Sequence, residues 1–127
     1  MSSGQPCSFC SIPRERILRE SNTCFSILDK YAVTPLHTLI IPKRHIETYF
    51  DLEPDELREV NLHLREERKE IHTQDPSVLG FNIGMNCGEV AGQTVMHCHI
   101  HLIPRRKDDI DDSRGGVRGV IPEKRIY

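Results

Sequence analysis

The chain has 127 residues, of which 37% are hydrophobic and 28% charged, and its formal net charge at pH 7 is −2. This length suits one domain with its own hydrophobic core, and the composition argues against disorder. The near-neutral charge offers no basic field for nucleic acid or acidic membranes, and no apolar run approaches the roughly 18 residues of a membrane span. We therefore predict a single domain over residues 1–127 that binds neither nucleic acid nor membrane.

The cysteines and the N-terminus favour a reducing compartment. Five cysteines, an odd number, are spaced irregularly along the chain, which argues against a disulfide framework. Residues 1–6 lack the basic and apolar regions of a signal peptide. We therefore expect a cytoplasmic protein.

The N-terminal third contains a short cysteine motif followed by three strand-like runs. The motif, a C-x-x-C, occupies residues 7–10. Residues 16–20 and 23–28 predict the two strands of a hairpin. Residues 37–41 predict a buried strand that Pro42 stops.

A long helix is predicted over roughly residues 54–73. Pro54 fits the first helical position, and acidic residues follow it, where the helix dipole favours them. An apolar stripe with helical spacing would face the sheet, and it comprises Leu57, Val60, Leu64 and Ile71. The charged residues between these positions, including Glu59 and Glu67, are expected to form a solvated face. His63 and His72 are expected on the solvent side without a role.

The last third predicts two strands and a tail. Residues 79–85 predict a strand, residues 86–92 a polar loop with glycines, and residues 93–104 a strand that carries three histidines. Residues 105–127 form a charged, glycine-bearing C-terminal tail. The order of the elements predicts an α+β fold with a mostly antiparallel five-stranded sheet packed by one long helix.

The three histidines of the last predicted strand, His97, His99 and His101, occupy alternate positions. Alternate residues of a strand share one face, so the three imidazoles are predicted to lie side by side. The residues between them would enter the core, and these are Cys98, Ile100 and Leu102. Three imidazoles can bind a metal, act on a phosphate or cover a wet surface. A catalytic zinc site normally needs further ligands and an acid, and no carboxylate lies in this strand.

The histidines belong to a longer motif, Gly-Gln-Thr-Val-x-His-x-His-x-His-x-x-Pro, over residues 92–104. This motif resembles the signature of the histidine triad (HIT) family of nucleotide hydrolases and transferases. The agreement in order and spacing extends over residues 7–105 and includes Asp29, His37 and Asn86. The resemblance implies a HIT-like fold.

The resemblance assigns roles that the chemistry of the residues supports. A neutral imidazole is nucleophilic near pH 7, and main-chain amides of a glycine-bearing loop bind phosphate oxygens. By resemblance, His99 attacks the α-phosphate, forms a nucleotidyl-histidine and releases a nucleoside monophosphate after hydrolysis, without a cofactor. Asp29 is implied to accept a ribose hydroxyl and His37 to fix the tautomer of His101. The implied phosphate contacts are Asn86, Gln93, Thr94 and His101.

The C-x-x-C motif supplies half of a tetrahedral zinc shell, which two imidazoles would complete. Some HIT members have such an N-terminal motif, and the resemblance implies a structural zinc with the ligands Cys7, Cys10, His45 and His97. This zinc would remove His97 from direct contact with phosphate. Free thiols and a redox pair are the alternatives, although a redox motif should open a helix, whereas here Ile12 and Pro13 follow.

The leading hypothesis is a hydrolase that acts on a dinucleoside polyphosphate or a nucleoside phosphoramidate with a purine base, by resemblance adenine. The resemblance also implies a homodimer in which two sheets join and the partner's C-terminal tail approaches the site. Nucleotidyl transfer to another phosphate and a nucleotide-binding interaction module are the alternatives. The presence of His99 favours an enzyme, since a binding module could lose the nucleophile and keep its pocket.

Overall fold

Five antiparallel strands form one sheet, and one long helix covers one of its faces. The elements are β1 Ile17–Glu20, β2 Cys24–Leu28, β3 Thr38–Pro42, α1 Pro54–Gln74, β4 Val78–Gly84 and β5 Ile100–Arg106. Across the sheet the strand order is β1-β2-β3-β5-β4. The computed structural model describes residues 7–127, and the prediction for residues 1–6 lies outside the described residues. The predicted α+β fold, with five antiparallel strands and one helix, is confirmed.

The helix α1 begins where the sequence predicts it, at Pro54. A capping box precedes it, in which the Glu56 carboxylate accepts a hydrogen bond from the Glu53 N–H at 2.8 Å. Arg44 donates two hydrogen bonds to Glu56, at 2.9 and 3.1 Å, and these lower the pKa of that carboxyl. The start of the helix is therefore anchored to the segment that follows β3.

The buried face of α1 is only partly apolar, which corrects two predictions. His63 is 1% exposed rather than on the solvent side. Glu67, expected on the solvated face, is 3% exposed and accepts a hydrogen bond from Arg19 Nε at 3.1 Å. The buried helical residues are Glu56, Val60, His63, Glu67 and Ile71.

Across residues 7–127, no helix combines the length and hydropathy needed to cross a membrane.

His63 joins α1 to the first hairpin through two hydroxyl groups. Ser21 Oγ donates to Glu59 Oε1 at 2.5 Å, so it accepts from His63 Nε2, which lies 2.8 Å away. The other ring nitrogen, Nδ1, is then unprotonated and accepts from the Ser26 hydroxyl at 2.5 Å. Burial, followed by the charge of Arg19, lowers the pKa of His63. The ring is therefore neutral at pH 7, which explains how a histidine fits the buried stripe.

The stability of the fold should fall in acid because of His63. The unfolded state, with an ordinary histidine pKa of about 6.5, binds more protons below that pH than the folded state does. The free energy of unfolding therefore rises with pH through this window, with a slope from one proton of at most about 1.4 kcal/mol per pH unit. In urea unfolding between about pH 5 and 7, His63→Gln should lower that slope and His72→Gln should not. An unchanged slope in His63→Gln contradicts this account.

The two faces of the sheet are covered by different segments. On the helix side, Val60 packs against Ile40 of β3 and Ile100 of β5. On the opposite side, Leu39 belongs to a cluster against which Phe9 of the N-terminal segment packs. The C-x-x-C motif therefore lies on the face of the sheet that α1 leaves open.

The predicted histidine strand is shorter than expected. β5 begins at Ile100, so His101 lies in the strand and the other two histidines precede it. The ladder starts late because the Cys98 N–H donates outside the sheet, to the Ile46 carbonyl at 2.7 Å. The row predicted to enter the core is nevertheless buried, and consists of Cys98, Ile100 and Leu102.

The tail after β5 consists of turns rather than a core element. Two 3₁₀ turns cover Gly116–Val120 and Pro122–Lys124. Gly115 has a φ of +88°, and a Cβ atom there would lie 1.9 Å from the carbonyl oxygen of Arg125. Glycine is therefore required at this position if the tail is to fold back on itself.

Candidate active site and metal site

A pocket of about 400 Å³ opens on the sheet face opposite α1. The sheet contributes Leu39 from β3 and His101 from β5, and Asp29 directly follows β2. The segment before β5 contributes Thr94 and His99. The pocket thus brings together five of the predicted site residues, namely Asp29, Asn86, Thr94, His99 and His101.

One hydrogen bond fixes the tautomer of the neutral His99 ring. Its Nδ1 lies 2.8 Å from the carbonyl oxygen of His97, which only accepts, so Nδ1 carries the proton. Nε2 then keeps its lone pair. Because His99 lines the pocket, its ring in the neutral form can offer Nε2 as a nucleophile there.

A chain of hydrogen bonds behind the pocket fixes the tautomer of His101. The Val33 N–H donates to His37 Nδ1 at 3.0 Å, so the ring proton of His37 is on Nε2. That proton points to His101 Nδ1, which lies 2.9 Å away. A neutral His101 therefore carries its own proton on Nε2. His37 itself is 1% exposed and does not line the pocket, as expected of a residue that acts through another.

Burial keeps these rings neutral. It is the largest influence that lowers the pKa of His101 to about 4, with His99 and His37 adding to it and Asp29 opposing it. Burial also lowers the pKa of His37, against the charge of Asp29. At pH 7 both rings act as hydrogen-bond donors without a positive charge.

Asp29, His37 and His101 also form a group whose ligand atoms lie close enough to hold a metal. The tautomer of His37 argues against that use. Asp29 Oδ2 lies 3.4 Å from His37 Nε2 and 4.0 Å from His101 Nδ1. The Nε2 proton of His37 points into this group, while the Val33 N–H occupies the other ring nitrogen. A metal ligand needs a free lone pair at Nε2, so we interpret the group as a hydrogen-bond network.

The side chain of Gln93 braces the loop over residues 86–92 through hydrogen bonds to backbone groups. Gln93 Oε1 accepts from the Gly88 N–H at 2.8 Å, and Nε2 donates to the carbonyls of Glu47 and Val95 at 2.6 and 3.1 Å. The side chain is 3% exposed and does not line the pocket. The geometry therefore does not support the predicted phosphate contact of Gln93. Gly92, with a φ of +100°, does line the pocket.

The four predicted metal ligands converge on one point beside the pocket. Cys7 Sγ lies 3.3 Å from His97 Nδ1, and Cys10 Sγ lies 3.5 Å from it. His45 Nδ1 lies 3.2 Å from both Cys10 Sγ and His97 Nδ1. All four ligand atoms are within 4.8 Å of one another.

These separations fit a tetrahedral metal. Zinc bonds of about 2.0–2.1 Å to nitrogen and 2.3 Å to sulfur place two nitrogen ligands about 3.3 Å apart, and a nitrogen about 3.5 Å from a sulfur. The tautomer of His97 also fits, because its Nε2–H donates to the Pro42 carbonyl at 2.8 Å and leaves the Nδ1 lone pair facing the cluster. Burial lowers the pKa of His97, which keeps that lone pair available.

Sequence reasoning missed the side of the pocket that the N-terminal segment and the residues after β2 provide. Phe9 stands between the two cysteines, and an aromatic residue inside the motif was the one available signal. Arg16 was assigned to a strand and Lys30 lies after the predicted hairpin, with nothing to mark them as neighbours. The lining residues not predicted are Ser8, Phe9, Ile12, Arg16, Lys30, Tyr31, Leu39 and Val95.

The model of the HIT domain family matches residues 12–108. The chain belongs to the HIT family. The match includes the pocket loop and all three histidines, but it begins after the C-x-x-C motif. The family assignment therefore does not depend on the two cysteines, although the match includes His45 and His97.

Curated relatives of this HIT domain include both named enzymes and uncharacterised proteins. The protein hit of Bacillus subtilis is 34% identical over 110 residues, which are 83% of this chain and 74% of that protein. An adenosine 5'-monophosphoramidase of Candida albicans is 31% identical over 115 residues, 85% of this chain and 76% of the enzyme. An asymmetrical bis(5'-nucleosyl)-tetraphosphatase of Schizosaccharomyces pombe is 38% identical over 81 residues, 64% of this chain and 44% of the enzyme.

Solved structures of HIT proteins share the fold. A HIT family member from Bacillus subtilis superposes with a TM-score of 0.75 at 29% identity, over 94% of this chain and 89% of that one. A zinc-bound histidine triad protein from Mycobacterium smegmatis has a TM-score of 0.72 at 31% identity, over 81% of this chain and 77% of that one.

Proposed function

We propose that this HIT domain hydrolyses a dinucleoside polyphosphate or a nucleoside phosphoramidate at the α-phosphate. The observation that carries the proposal is the tautomer of His99, whose Nδ1–H donates to the His97 carbonyl and so leaves Nε2 of the neutral ring as the nitrogen with the lone pair. The names of two relatives, a phosphoramidase and a tetraphosphatase, support this substrate class.

The reaction proceeds in two displacements at phosphorus. In the first, His99 Nε2 attacks, a P–N bond forms, and the amine or phosphate leaves with the electron pair of the bond that breaks and takes up a proton. In the second, water attacks the phosphorus, loses a proton, and the P–N bond returns its electrons to His99. The products are a nucleoside monophosphate and the leaving group, and neither step requires a cofactor.

His101, Asn86 and Thr94 are the proposed phosphate contacts. The rings of His101 and His99 lie with their centroids 5.2 Å apart, so the Nε2–H of His101 is a donor beside the nucleophile. The His37 hydrogen bond fixes that donor in place. A preorganised neutral donor stabilises the charge that develops on phosphate oxygens in the transition state.

Other residues that line the pocket are proposed to bind the nucleoside. Asp29 Oδ1 accepts the Tyr31 N–H at 2.8 Å, which orients the carboxylate toward a ribose hydroxyl. Phe9, Ile12 and Leu39 supply apolar walls for a purine base, for which we propose adenine in line with the name of the phosphoramidase relative.

We assign Gln93 a bracing role in place of the predicted phosphate contact, and a charge-changing pair of variants tests it. Gln93→Glu keeps an acceptor for the Gly88 N–H but loses both donated hydrogen bonds and faces two carbonyls with a carboxylate. We expect kcat/KM to fall about tenfold or more and the melting temperature to drop, because a buried polar group is left unpaired. Glu89→Gln, on an exposed residue of the same loop, is the control. If Gln93→Glu keeps the wild-type stability and loses only affinity for phosphate, Gln93 contacts the phosphate directly instead of bracing the loop.

The cluster of Cys7, Cys10, His45 and His97 is proposed to hold a structural zinc. Its separations match tetrahedral coordination, and a zinc-bound neighbour of 31% identity shows that a HIT fold accepts this metal. When bound, zinc supplies cross-linking between the N-terminal segment and the sheet. His97 then contributes to catalysis through its carbonyl rather than its ring.

The substrate class is tested by measuring turnover of adenosine 5'-phosphoramidate and diadenosine tetraphosphate on one preparation. We expect hydrolysis of at least one of them, release of AMP, and no loss of rate on brief addition of a magnesium chelator. Added pyrophosphate should not capture the nucleotidyl group. Its capture would establish the transferase alternative, and bound AMP with no turnover would establish the binding module.

A homodimer formed through the edge of the sheet is proposed for the assembly. β4 ends the sheet, and its Leu79 and Ile83 are 75% and 52% exposed. An open strand edge beside exposed apolar residues favours pairing with a second copy. Sedimentation equilibrium should give a dimer, and a stable monomer contradicts this proposal.

All five cysteines are free, which supports the proposed cytoplasmic location.

A further inference from the structure

The turn that carries the two cysteines is also a wall of the nucleotide pocket. A 3₁₀ turn spans Ser8–Ser11, and the Cys10 N–H closes it on the Cys7 carbonyl at 3.1 Å. Phe9 stands between the two cysteines and lines the pocket. This turn, together with Cys7 that precedes it, therefore contributes two cysteines to the metal cluster and an aromatic ring to the pocket.

Phe9 contacts the nucleophile directly. The edge of its ring meets the His99 ring with the centroids 5.0 Å apart and the planes at 76°. It also meets the ring of His97, a predicted metal ligand, at 6.2 Å and 79°. Edge-to-face packing of this kind restricts the orientation of both rings. Phe9 also packs against the hydrophobic cluster of the sheet that contains Leu39.

Two routes thus connect the metal cluster to His99. One runs from Cys7 and Cys10 through the Phe9 ring, and the other from the His97 ring through its own backbone carbonyl to His99 Nδ1. Apart from the packing of Phe9, little else holds the turn, since none of its four residues is fully buried and no side chain caps it. The links between thiols and imidazoles are weak hydrogen bonds unless a cation joins them.

We propose that Phe9 is a positioning residue through which metal occupancy of the cysteine–histidine cluster controls the orientation of His99 and the affinity for nucleotide. This inference rests on the proposed function for the identity of the nucleotide, but the Phe9–His99 contact can be tested without it. The ring acts on His99 and on the pocket wall and takes no part in bond making. Loss of the metal frees the turn and withdraws the wall.

The experiment compares zinc-loaded and zinc-depleted wild type with Phe9→Ala and Phe9→Leu. Zinc content and AMP affinity are measured by elemental analysis and calorimetry, and NMR records the contact between the Phe9 and His99 rings. We expect zinc depletion to lose the ring contact and to weaken AMP binding about tenfold. Phe9→Ala should retain zinc, show the same weakening, and respond less to depletion than wild type, since only the route through the His97 carbonyl remains. Phe9→Leu should recover part of the affinity, and Phe50→Ala, at an 81% exposed aromatic residue, should behave as wild type.

The proposal is contradicted if zinc depletion and the loss of the Phe9 ring act independently of each other. If zinc depletion weakens AMP binding by the same factor in Phe9→Ala as in wild type, Phe9 does not transmit the effect. If the ring contact survives zinc depletion unchanged, the turn does not depend on the metal. Neither result concerns hydrolysis. A zinc-loaded wild type that keeps the zinc-dependent ring contact but binds no AMP would instead overturn the proposed function and the affinity half of this inference.

Discussion

Replacing His99 with alanine should abolish turnover and leave nucleotide binding measurable. The side chain supplies the only bond that the proposed mechanism makes to substrate, and its Nε2 lone pair is fixed by the 2.8 Å hydrogen bond from Nδ1 to the His97 carbonyl. We expect kcat to fall by at least about a thousandfold, because losing the nucleophile leaves only the contribution of binding and phosphate contacts. AMP affinity should remain within about tenfold of wild type, since several other residues line the pocket.

The matched control for His99→Ala is His72→Ala, which removes an imidazole from α1 outside the pocket. It should hydrolyse at the wild-type rate. Residual hydrolysis by a purified His99→Ala sample at more than about a tenth of the wild-type rate would remove His99 as the nucleophile.

Replacing Cys10 with serine should eliminate the bound metal and destabilise the fold. Serine at this position removes one of the four ligands that surround the cluster. If free zinc is present at a hundred times its dissociation constant, its binding stabilises the folded state by about 2.7 kcal/mol, and this contribution is lost when zinc no longer binds. For a domain of this size, that corresponds to a fall of roughly 10 °C in melting temperature. Zinc content and thermal unfolding of the same sample measure the two effects together.

Cys87→Ser is the control for the metal prediction. Cys87 is half-buried on the pocket loop and lies outside the ligand cluster, so this variant should keep one zinc per chain. Wild-type protein without stoichiometric zinc after expression in zinc-supplemented medium would leave the four residues as free thiols and imidazoles. A wild-type melting temperature in zinc-free Cys10→Ser would show that the metal does not stabilise the fold.

The fold could be predicted because its signals are local. Alternating and helical periodicities, with proline at the helix start, mark elements whose boundaries agree with the structure to within about two residues. The start of β5 could not be read in this way. It depends on the Cys98 N–H, which bonds to Ile46 more than fifty residues away instead of joining the ladder. A hydrogen bond between distant segments leaves no trace in local spacing.

His63 shows why burial of polar residues was missed. It lies on the same helical stripe as Val60 and Ile71, but its polar side chain led to a solvent-side prediction. Burial is possible only because Ser21 and Ser26 pair with both ring nitrogens. These partners lie outside α1. The helical spacing of His63 is therefore visible in the sequence, but the hydrogen-bond partners of its ring are not.

For the candidate site, the sequence proposes residues but does not give their geometry. His99 and His101 of the motif line one pocket, and the structure brings the four predicted metal ligands together. The hydrogen bonds of the Gln93 side chain to backbone groups could not be predicted, because a signature gives the identity of a residue and not the direction of its side chain. Phe9 was missed because its contact with His99 joins segments ninety residues apart, and only the folded sheet brings them together.

The central claim is that hydrolysis proceeds through a bond between His99 and the nucleotide phosphorus. Mass spectrometry of protein mixed with adenosine 5'-phosphoramidate and quenched within one turnover at alkaline pH tests it most directly. We predict a mass increase of one adenylyl group, located on the peptide that contains His99 and absent from His99→Ala. Continued turnover without any adduct, or an adduct on His97 or His101, would contradict the account.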